Sequence, residues 1–573
     1  MCGIAGILTK SRAPEKAALE RMLDQISHRG PDGRGIYTGS RAALGCCRLA
    51  FTDIAGGTQP IRDESGQRMI IANAEIYNAP ELRSALQSKG HIFSTRSDVE
   101  VILHLFVEHG AACLAHLEGM FAFAIWSEHS GELFVARDRF GIKPLYYADS
   151  GEAFAFASEL KSLVALDGVR KEVDANALAS YFATLAVSEP YSIFRGIAKL
   201  PPAHYMVVGE SGMKIERYWM PRAAPREHGV SPSELRDVLA VSVRRTLISE
   251  APLGVLLSGG LDSTIVAALA ARERPGIPTF SLRMEDAAYD EGPYSREAAR
   301  SFGTEHNEVT ATVASIADAL EAIGGQIDEP FADASFLPSY LIFREASHSV
   351  KGLLTGEGAD ELFAGSPWHA PGAADGAIVP ASRRIFSYEQ IESFWPDSPG
   401  AAWENCEYIA GLAAGDSSDA IARAIDLDLG LYLPSDLLVK ADRMSMLCSV
   451  EARVPYLNPA VADAALAIPT AGKISREVRK IPLKETFKDL IPESIVGRPK
   501  QGFSIPLDLW LWQDTPLKDL IYGALFDRNA KCRQLFDYRR LELMRSEHER
   551  LIALHGYRLF TLYMMERWLR SWN

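Results

Sequence analysis

Residues 253–271 read LGVLLSGGLDSTIVAALAA, an apolar run followed by a glycine-rich turn and a helix-forming stretch. This order predicts a buried β-strand, a tight loop and an α-helix. The glycines let backbone N–H groups approach an anion, the serine hydroxyls add donors, and the helix N-terminus contributes the positive end of its dipole. The stretch therefore predicts a phosphate-binding loop built from Ser258, Gly259, Gly260 and Ser263. It lacks the Gly-Lys-Ser/Thr of a Walker loop, so transfer of a γ-phosphate is not the expected chemistry.

A second segment, Leu353–Glu361, repeats the pattern of strand, loop and helix with the sequence LLTGEGADE. In an open parallel sheet two such strand ends face one crevice, where ligands bind. Carboxylates at that place would repel phosphates unless a cation lay between them. We therefore expect Asp262 and Asp360 to hold Mg²⁺, and Gly356 and Glu357 to contact the nucleotide.

The 573-residue chain is too long for a single hydrophobic core and divides most naturally at a Pro/Gly-bearing stretch, residues 221–229. We expect one domain over 1–220 and another over 230–573. Ser231 as cap, followed by Pro232, predicts a helix at the start of the second domain. The strand-like runs that follow alternate with helical segments, which favours a parallel sheet covered on both faces.

Short β-branched and aromatic runs at 69–72, 133–136 and 153–156 predict that sheets dominate the first domain. One helix can be predicted in this domain. Ser97 has capping-box spacing to the glutamate three positions later, an apolar stripe follows, and Gly110 could end the helix.

A net charge of −14 disfavours nucleic acid and anionic membranes as partners. No apolar run approaches the ~20 residues that span a bilayer, and the N-terminus lacks a secretory signal, so we expect a cytoplasmic protein. Seven scattered cysteines indicate free thiols in a reducing compartment.

Cys2 is the one cysteine whose position calls for a reason. Removal of Met1 would leave a residue that carries both a thiol and a free α-amino group. The amine titrates near ~8 and the thiol near ~8.5, so the amine can relay the thiol proton without a histidine. Cys2 is therefore a candidate nucleophile.

The segments that accompany Cys2 resemble the class II glutamine amidotransferases, whose glutaminase domain begins with Cys-Gly-Ile. The matching segments occur in the family's order: 28–32, 48–49, 73–78, 97–100, 118–122 and 138–147. The resemblance implies that Arg48 binds the carboxylate of glutamine and that Asp98 and Glu75 accept from its ammonium group. It also implies an oxyanion hole formed by the Asn73 side chain and the backbone N–H of Ala74.

Ala74 departs from the family, which usually has glycine at this position. If the backbone needed a positive φ there, alanine would cost about 1 kcal/mol. Arg29 and Asp32, in another of the matching segments, could pair across a turn, and we leave them outside the predicted site.

The loop at 258–263 resembles that of N-type ATP pyrophosphatases, which split ATP between the α and β phosphates. Segments 438–446 and 451–457 resemble the synthetase domain of asparagine synthetases. That resemblance implies that Glu357 acts near the acceptor carboxyl or as a base and that Lys480 balances charge during adenylation, with Lys484 as a competitor. It also implies that Leu256 and Leu282 frame the adenine.

The two resemblances together imply an α+β N-terminal-nucleophile sandwich (αββα), followed by an α/β parallel-sheet ATP pyrophosphatase domain with a helical C-terminal part. The implied enzyme is a carbon–nitrogen ligase that uses ATP and Mg²⁺. It would amidate aspartate through an acyl-AMP with ammonia from glutamine, delivered through a water-poor passage between the domains.

The sequence does not decide which carboxylate is the acceptor. The segment 328–335 follows a bacterial variant shared with amidotransferases of other carboxylates, and Gly365-Ser366 replaces a common Gly-Tyr pair, so a pathway-specific acid is the alternative. An ATP-dependent cyclase is a third interpretation, which the retention of Cys2 disfavours, and a non-catalytic sensor is a fourth. A homodimer is left open.

Overall fold

The computed structural model describes residues 2–221, 229–370, 385–395, 400–415, 417–498, 502 and 505–572. Most of the predicted linker at 221–229 lies outside the described residues, as does Met1.

Twelve strands build the described part of the N-terminal half. They are β1 (Cys2–Thr9), β2 (Gly33–Thr38), β3 (Ala42–Arg48), β4 (Ile61–Arg62), β5 (Arg68–Ile76), β6 (Gly119–Ser127), β7 (Glu132–Arg137), β8 (Tyr146–Asp149), β9 (Ala153–Ala157), β10 (Ile197–Lys199), β11 (His204–Gly209) and β12 (Gly212–Arg217). One sheet has the order β10-β8-β9-β1-β3-β2 and the other β12-β11-β7-β6-β5-β4. All three strand-like runs of the sequence lie in strands, as predicted.

The side chains of β1 alternate between two cores. Ile4 and Leu8 pack between the two sheets, whereas Ala5 and Ile7 face the helices on the outer side. Those helices and their counterparts on the second sheet are α1 (Lys16–Asp24), α2 (Ala79–Ser88), α3 (Asp98–His109), α4 (Leu160–Val164) and α5 (Ala175–Thr184). Helices α1 and α4 pack on the first sheet and α3 on the second, which confirms the predicted αββα sandwich.

Helix α3 confirms the predicted helix, with one difference at its cap. Ser97 accepts a hydrogen bond from the backbone N–H of Val99, and Gly110 follows the last turn with φ +54°. Glu100 does not close a capping box, because its carboxylate accepts from the backbone N–H groups of Ser94 and Thr95 instead.

The C-terminal half contains a parallel sheet in the order β15-β14-β13-β16-β17. Its strands are β13 (Leu253–Leu256), β14 (Pro278–Met284), β15 (Glu305–Ala311), β16 (Gly352–Leu354) and β17 (Glu451–Arg453). The apolar run that begins at Leu253 is thus the central strand, buried on both faces, as predicted.

Helices make up the rest of the described C-terminal half, and the last of them form its helical C-terminal part. They are α6 (Pro232–Thr246), α7 (Leu261–Glu273), α8 (Gly292–Phe302), α9 (Val313–Ile323), α10 (Phe336–Ala346), α11 (Ala359–Phe363), α12 (Tyr388–Phe394), α13 (Gly400–Ala414), α14 (Ala420–Leu427), α15 (Leu438–Leu447), α16 (Pro459–Ala467), α17 (Thr470–Lys473), α18 (Ile481–Phe487), α19 (Glu493–Val496), α20 (Leu507–Trp512), α21 (Pro516–Leu525), α22 (Tyr538–Glu549) and α23 (Gly556–Trp572). A π-helical stretch, Asp428–Leu437, joins α14 to α15. Ser231 caps α6 by accepting from the backbone N–H of Glu234 at 3.1 Å, which confirms the predicted helix start.

Among the described helices none combines the length and the apolar composition that a bilayer-spanning segment needs. All seven cysteines are free thiols, as the sequence predicts.

Candidate active sites

Cys2 begins β1 and lies opposite Arg48 in the antiparallel register of β1 and β3. Its side chain is buried, and its backbone N–H donates to Asn73 Oδ1 at 3.0 Å. The sheet register thus fixes the sulfur beside Arg48, and the second sheet supplies Asn73 from β5.

Two residues near the sulfur were not predicted. Gln59 directs its Nε2 toward Cys2 Sγ at 3.9 Å and is itself held by Ala72 on β5. The thiol of Cys46, on the same face of β3, forms a hydrogen bond that lowers the pKa of Cys2 to about 6, although burial raises it. Cys2 is therefore poised to be a thiolate at neutral pH. The sequence signal for Cys46 was its even spacing from Arg48 on one strand.

Asn73 presents a donor that the described part of the chain does not use. The residue is fully buried, its Oδ1 is engaged by Cys2, and its Nδ2 has no hydrogen-bond partner among the described residues. A buried amide donor without a partner costs free energy unless a ligand accepts from it. Ala74 follows in the regular pairing of β5 with β6 and does not have a positive φ, so the condition under which alanine would be strained here is not met.

The residues expected to bind glutamine lie around one loop that follows β3. Arg48 donates from its guanidinium to the backbone carbonyls of Thr52, Asp53 and Ile54 at 2.8–3.1 Å. Asp98, at the start of α3, accepts from the Thr52 hydroxyl at 2.7 Å through one carboxylate oxygen. Arg48 and Asp98 therefore hold the same loop from two sides.

Glu75 is buried, and its carboxylate pairs with Arg453 of the C-terminal half at 3.0 Å. Burial raises the pKa of Glu75 well above its ordinary value, although Arg453 opposes this. The carboxylate that we expected to face the ammonium of glutamine thus also joins the two halves of the chain.

Arg29 and Asp32 do not pair with each other, so the suggested turn contact is wrong. The Arg29 guanidinium is fully buried and contacts Glu159 at 2.7 Å and Asp442 at 2.7 and 2.9 Å. Asp32 contacts Lys351 at 2.7 Å. Both partners on the C-terminal half lie hundreds of residues away, beyond any local sequence signal.

The predicted phosphate-binding loop connects β13 to α7. Gly259 has φ +81°, and a Cβ there would lie 2.8 Å from the backbone nitrogen of Ser295. Ser263 accepts from the backbone N–H of Ser258 at 3.1 Å, and Gly260 caps α7. The loop is therefore a tight turn at a helix N-terminus, as the sequence indicates.

The second loop meets the first at the carboxyl ends of neighbouring parallel strands. Val255 of β13 pairs in register with Leu354 of β16. A Cβ on Gly356 would lie 3.2 Å from Asp262 Cβ, and Gly358 needs φ +90°. The two strand ends thus face one crevice, as predicted, and the glycines permit the close approach.

Lys480 lies between the two predicted metal ligands. Its Nζ contacts Asp262 Oδ2 and Asp360 Oδ1, both at 2.5 Å. Lys480 is buried with φ +54° at the start of α18, and a Cβ on Gly365 would lie 2.0 Å from its Cε. The two carboxylates therefore converge on one positive charge. This donor set also suits Mg²⁺, which takes one or two carboxylates together with phosphate oxygens.

The two leucines expected to frame adenine lie on neighbouring strands, and one further cation lies at the crevice. Leu256 ends β13 and Leu282 lies in the neighbouring strand β14. Arg498, which was not predicted, donates to the backbone carbonyl of Gly259 at 3.3 Å and stacks over Tyr294. A guanidinium at the phosphate-binding loop is suited to a polyanionic ligand.

A small cavity lies between the two halves. Tyr146 and Lys199 line it from the N-terminal half, and Asp328, Lys440 and Arg443 line it from the C-terminal half. Arg443 contacts Glu159 at 2.8 Å, and Glu159 contacts the guanidinium of Arg29, which itself lies against the carbonyl of Cys2.

One residue of the cavity lining, Lys440, also contacts the segment 333–335. Lys440 contacts Asp333 at 3.3 Å and donates to the Ser335 hydroxyl at 2.9 Å. Burial would lower the pKa of Lys440, but Asp333, Asp436 and Glu357 raise it. Lys440 is thus a cation within electrostatic reach of Glu357.

Comparisons with known proteins match both halves. Residues 1–219 match the model of a glutamine amidotransferase domain, and residues 234–570 match that of asparagine synthase. The chain is 31% identical to asparagine synthetase [glutamine-hydrolyzing] 1 of Bacillus subtilis, over 89% of this chain and 88% of that protein. Asparagine synthetase [glutamine-hydrolyzing] 3 of Bacillus subtilis is 31% identical over 92% of both chains. Asparagine synthetase B [glutamine-hydrolyzing] of Escherichia coli is 30% identical over 93% of this chain and 86% of that protein.

Proposed function

The chain belongs to the asparagine synthase family, and from that premise we propose that it is a glutamine-hydrolysing asparagine synthetase. Asn73 Oδ1 holds the backbone N–H of Cys2, and its Nδ2 donor is buried without a partner among the described residues, which is the observation that carries the glutaminase half. The two glycine loops at neighbouring strand ends support the ATP-dependent half. We propose domains at 1–220 and 230–573.

In the first half-reaction, the Cys2 thiolate attacks the amide carbon of glutamine. The resulting oxyanion accepts from Asn73 Nδ2 and from the backbone N–H of Ala74. The α-amino group of Cys2, exposed by removal of Met1, carries the thiol proton to the leaving ammonia, and water then hydrolyses the thioester to glutamate. Arg48 binds the carboxylate of glutamine, and Asp98 and Glu75 face its ammonium group.

In the second half-reaction, the side-chain carboxylate of aspartate attacks the α-phosphorus of ATP, and pyrophosphate leaves. Ammonia then attacks the acyl-adenylate and AMP leaves with the oxygen, which gives asparagine. Ser258, Gly259, Gly260 and Ser263 bind phosphate oxygens, and Lys480 balances their charge.

Four further residues of the crevice act on the nucleotide or the acceptor. Leu256 and Leu282 frame the adenine, and Gly356 lets the second loop approach the phosphates. Glu357 acts near the acceptor carboxyl. Asp262 and Asp360 would hold Mg²⁺, which neutralises phosphate charge when it is bound.

Ammonia that reached solvent would be protonated and unreactive, so we propose that it crosses the cavity between the halves. The cavity lies beside Arg443, which is linked through Glu159 and Arg29 to the backbone carbonyl of Cys2. Lys440, also in its lining, lies within electrostatic reach of Glu357, and these positions support the route.

The test separates the two half-reactions. Cys2→Ala should abolish glutamine-dependent synthesis and retain synthesis from ammonium salts. Cys47→Ala is the matched control, because Cys47 lies on the opposite face of β3 and bonds to Leu23. If Cys2→Ala loses the ammonium-driven reaction while still folded, the division of labour is wrong.

Product analysis tests the activation step and the acceptor. With ATP, Mg²⁺, glutamine and aspartate, we expect asparagine, AMP and pyrophosphate by mass spectrometry. ADP and orthophosphate would refute adenylation. Ser366 in place of the family's tyrosine favours one second candidate, a different carboxylate, which would show as AMP formation in a carboxylate screen but not with aspartate. A cytoplasmic location and a homodimer remain part of the proposal and are tested by fractionation and by size-exclusion chromatography.

A further inference from the structure

Three side chains outside both candidate sites converge at the outer layer of the N-terminal half. Glu64 lies in the turn between β4 and β5, His91 lies between α2 and α3, and His104 lies in α3. They come from three separate elements, so only the fold brings them together.

The three ligand-type atoms are spaced as a small metal ion requires. His91 Nδ1 and His104 Nδ1 are 3.0 Å apart, and Glu64 Oε1 lies 4.0 Å from the first and 3.8 Å from the second. Tetrahedral zinc with bonds of about 2.0–2.1 Å needs ligand atoms about 3.3 Å apart. Each separation therefore differs from this value by well under an ångström.

The outer nitrogens of both imidazoles face carboxylates. His91 Nε2 lies 3.1 Å from Glu108 Oε1, and His104 Nε2 lies 3.6 Å from Glu100 Oε1. Histidines that bind a metal usually direct their other nitrogen to a carboxylate, which fixes the tautomer. If both Nε2 atoms carry protons, the two Nδ1 lone pairs and the Glu64 carboxylate point at one another, and a cation between them removes the repulsion.

We propose that Glu64, His91 and His104 form a binding site for a zinc-class divalent metal ion. Glu64 supplies one carboxylate oxygen and each histidine supplies Nδ1. The side chain of Glu64 is 43% exposed, so water reaches the fourth position. Two imidazoles and one carboxylate favour zinc over magnesium or calcium.

The ion would stabilise the segment between α2 and α3, which contains His91. Ile92 already donates its backbone N–H to Glu64 Oε1 at 2.6 Å. Ser97 and Asp98 follow a few residues later, and Asp98 holds the loop of the glutamine pocket. The site is therefore a structural clamp outside the chemistry, one segment away from a glutamine-binding residue.

The experiment measures zinc itself. Full-length protein, stripped with a chelator and dialysed, is titrated with ZnCl₂, and bound zinc per chain is measured by mass spectrometry of the metal after desalting. Glu64→Ala and His91→Ala are the test variants, because His104 is 2% exposed and its replacement could unfold the domain. His109→Ala, an exposed histidine of the same helix, is the matched control. Glu108→Gln changes the outer contact of His91 and the ion pair of Glu108 with Lys89, and leaves the three proposed ligands in place.

We expect both test variants to bind one zinc ion fewer per chain than the wild type and the His109→Ala control. Glu108→Gln should weaken binding by about 10-fold to 100-fold. Cobalt substitution should give a visible tetrahedral spectrum that the test variants lose. Zinc stoichiometry that is equal in the wild type and both test variants, or no zinc bound by the wild type, would overturn the proposal.

Discussion

Replacement of Asn73 tests the glutaminase site most directly. In the native protein the Nδ2 donor is buried without a partner among the described residues, and Oδ1 holds the backbone N–H of Cys2 at 3.0 Å. Asn73→Ala removes both groups. Asn73→Asp keeps an acceptor for Cys2, removes the donor and adds negative charge where an oxyanion would form.

The loss of one oxyanion-hole donor costs about 10²–10³ in kcat, or about 2.7–4 kcal/mol of transition-state stabilisation. We expect this loss for Asn73→Ala and a loss at least as large for Asn73→Asp. The KM for glutamine should change by less than about threefold, because the donor acts on the transition state and not on bound glutamine.

Glutamate formation, followed with a coupled dehydrogenase, measures the effect. Ammonium-driven pyrophosphate release by the same preparation should remain at the wild-type rate, which shows that the fold is intact. Asn78→Ala is the control, since Asn78 follows β5 and its side chain hydrogen-bonds to the backbone of His116 and Glu118. A glutaminase kcat within about threefold of wild type in Asn73→Ala would refute the assignment of this donor.

Three further changes have defined outcomes. Lys480→Met should reduce pyrophosphate release by about 10²-fold or more, because two carboxylates lose their shared cation, whereas Lys484→Met should stay within about threefold; equal effects would contradict the role of Lys480. Arg29→Met breaks a buried ion network and should lower the free energy of unfolding in urea by about 3–5 kcal/mol, whereas Arg34→Met, at a partly exposed pair, should change it by less than about 1 kcal/mol. Cys46→Ala removes the hydrogen bond that lowers the pKa of the Cys2 thiol to about 6. The acidic limb of the plot of glutaminase kcat/KM against pH should therefore move to higher pH. A limb at the wild-type pH would show that the bond does not lower this pKa.

The elements that sequence predicted are those whose signal is local. The loop at 258–263 follows from one strand, one turn and one helix N-terminus, all within twenty residues. The helix after Ser97 follows from its cap and apolar stripe. Gln59 was not predicted because it approaches the Cys2 sulfur from a loop that carries no recognisable motif. The cluster of Glu64, His91 and His104 was not predicted because its residues belong to three elements that only the tertiary fold brings together.

The strain considered for Ala74, which depended on a positive φ, does not arise, for a related reason. A glycine at this position in the family suggests a backbone with a positive φ. Ala74 instead continues the regular pairing of β5, a conformation that alanine adopts at no cost. The family motif identified Ala74 and its neighbour Asn73. The backbone conformation of Ala74 could be known only from the pairing of β5 in the sheet.

One guanidinium shows why the proposed glutamine pocket depends on both halves of the chain. Arg453 contacts Glu75 at 3.0 Å and Glu451 at 2.6 Å, and its guanidinium lies 5.0 Å from the ring of Phe51 in the loop that follows β3. A buried carboxylate without its cation is strongly unfavourable, so Glu75 requires the C-terminal half. Arg453 also pairs in register with Leu354, which leads into the loop that carries Glu357. The cation beside the proposed glutamine pocket is therefore anchored in the sheet that forms the proposed ATP crevice, and the two proposed sites are physically connected.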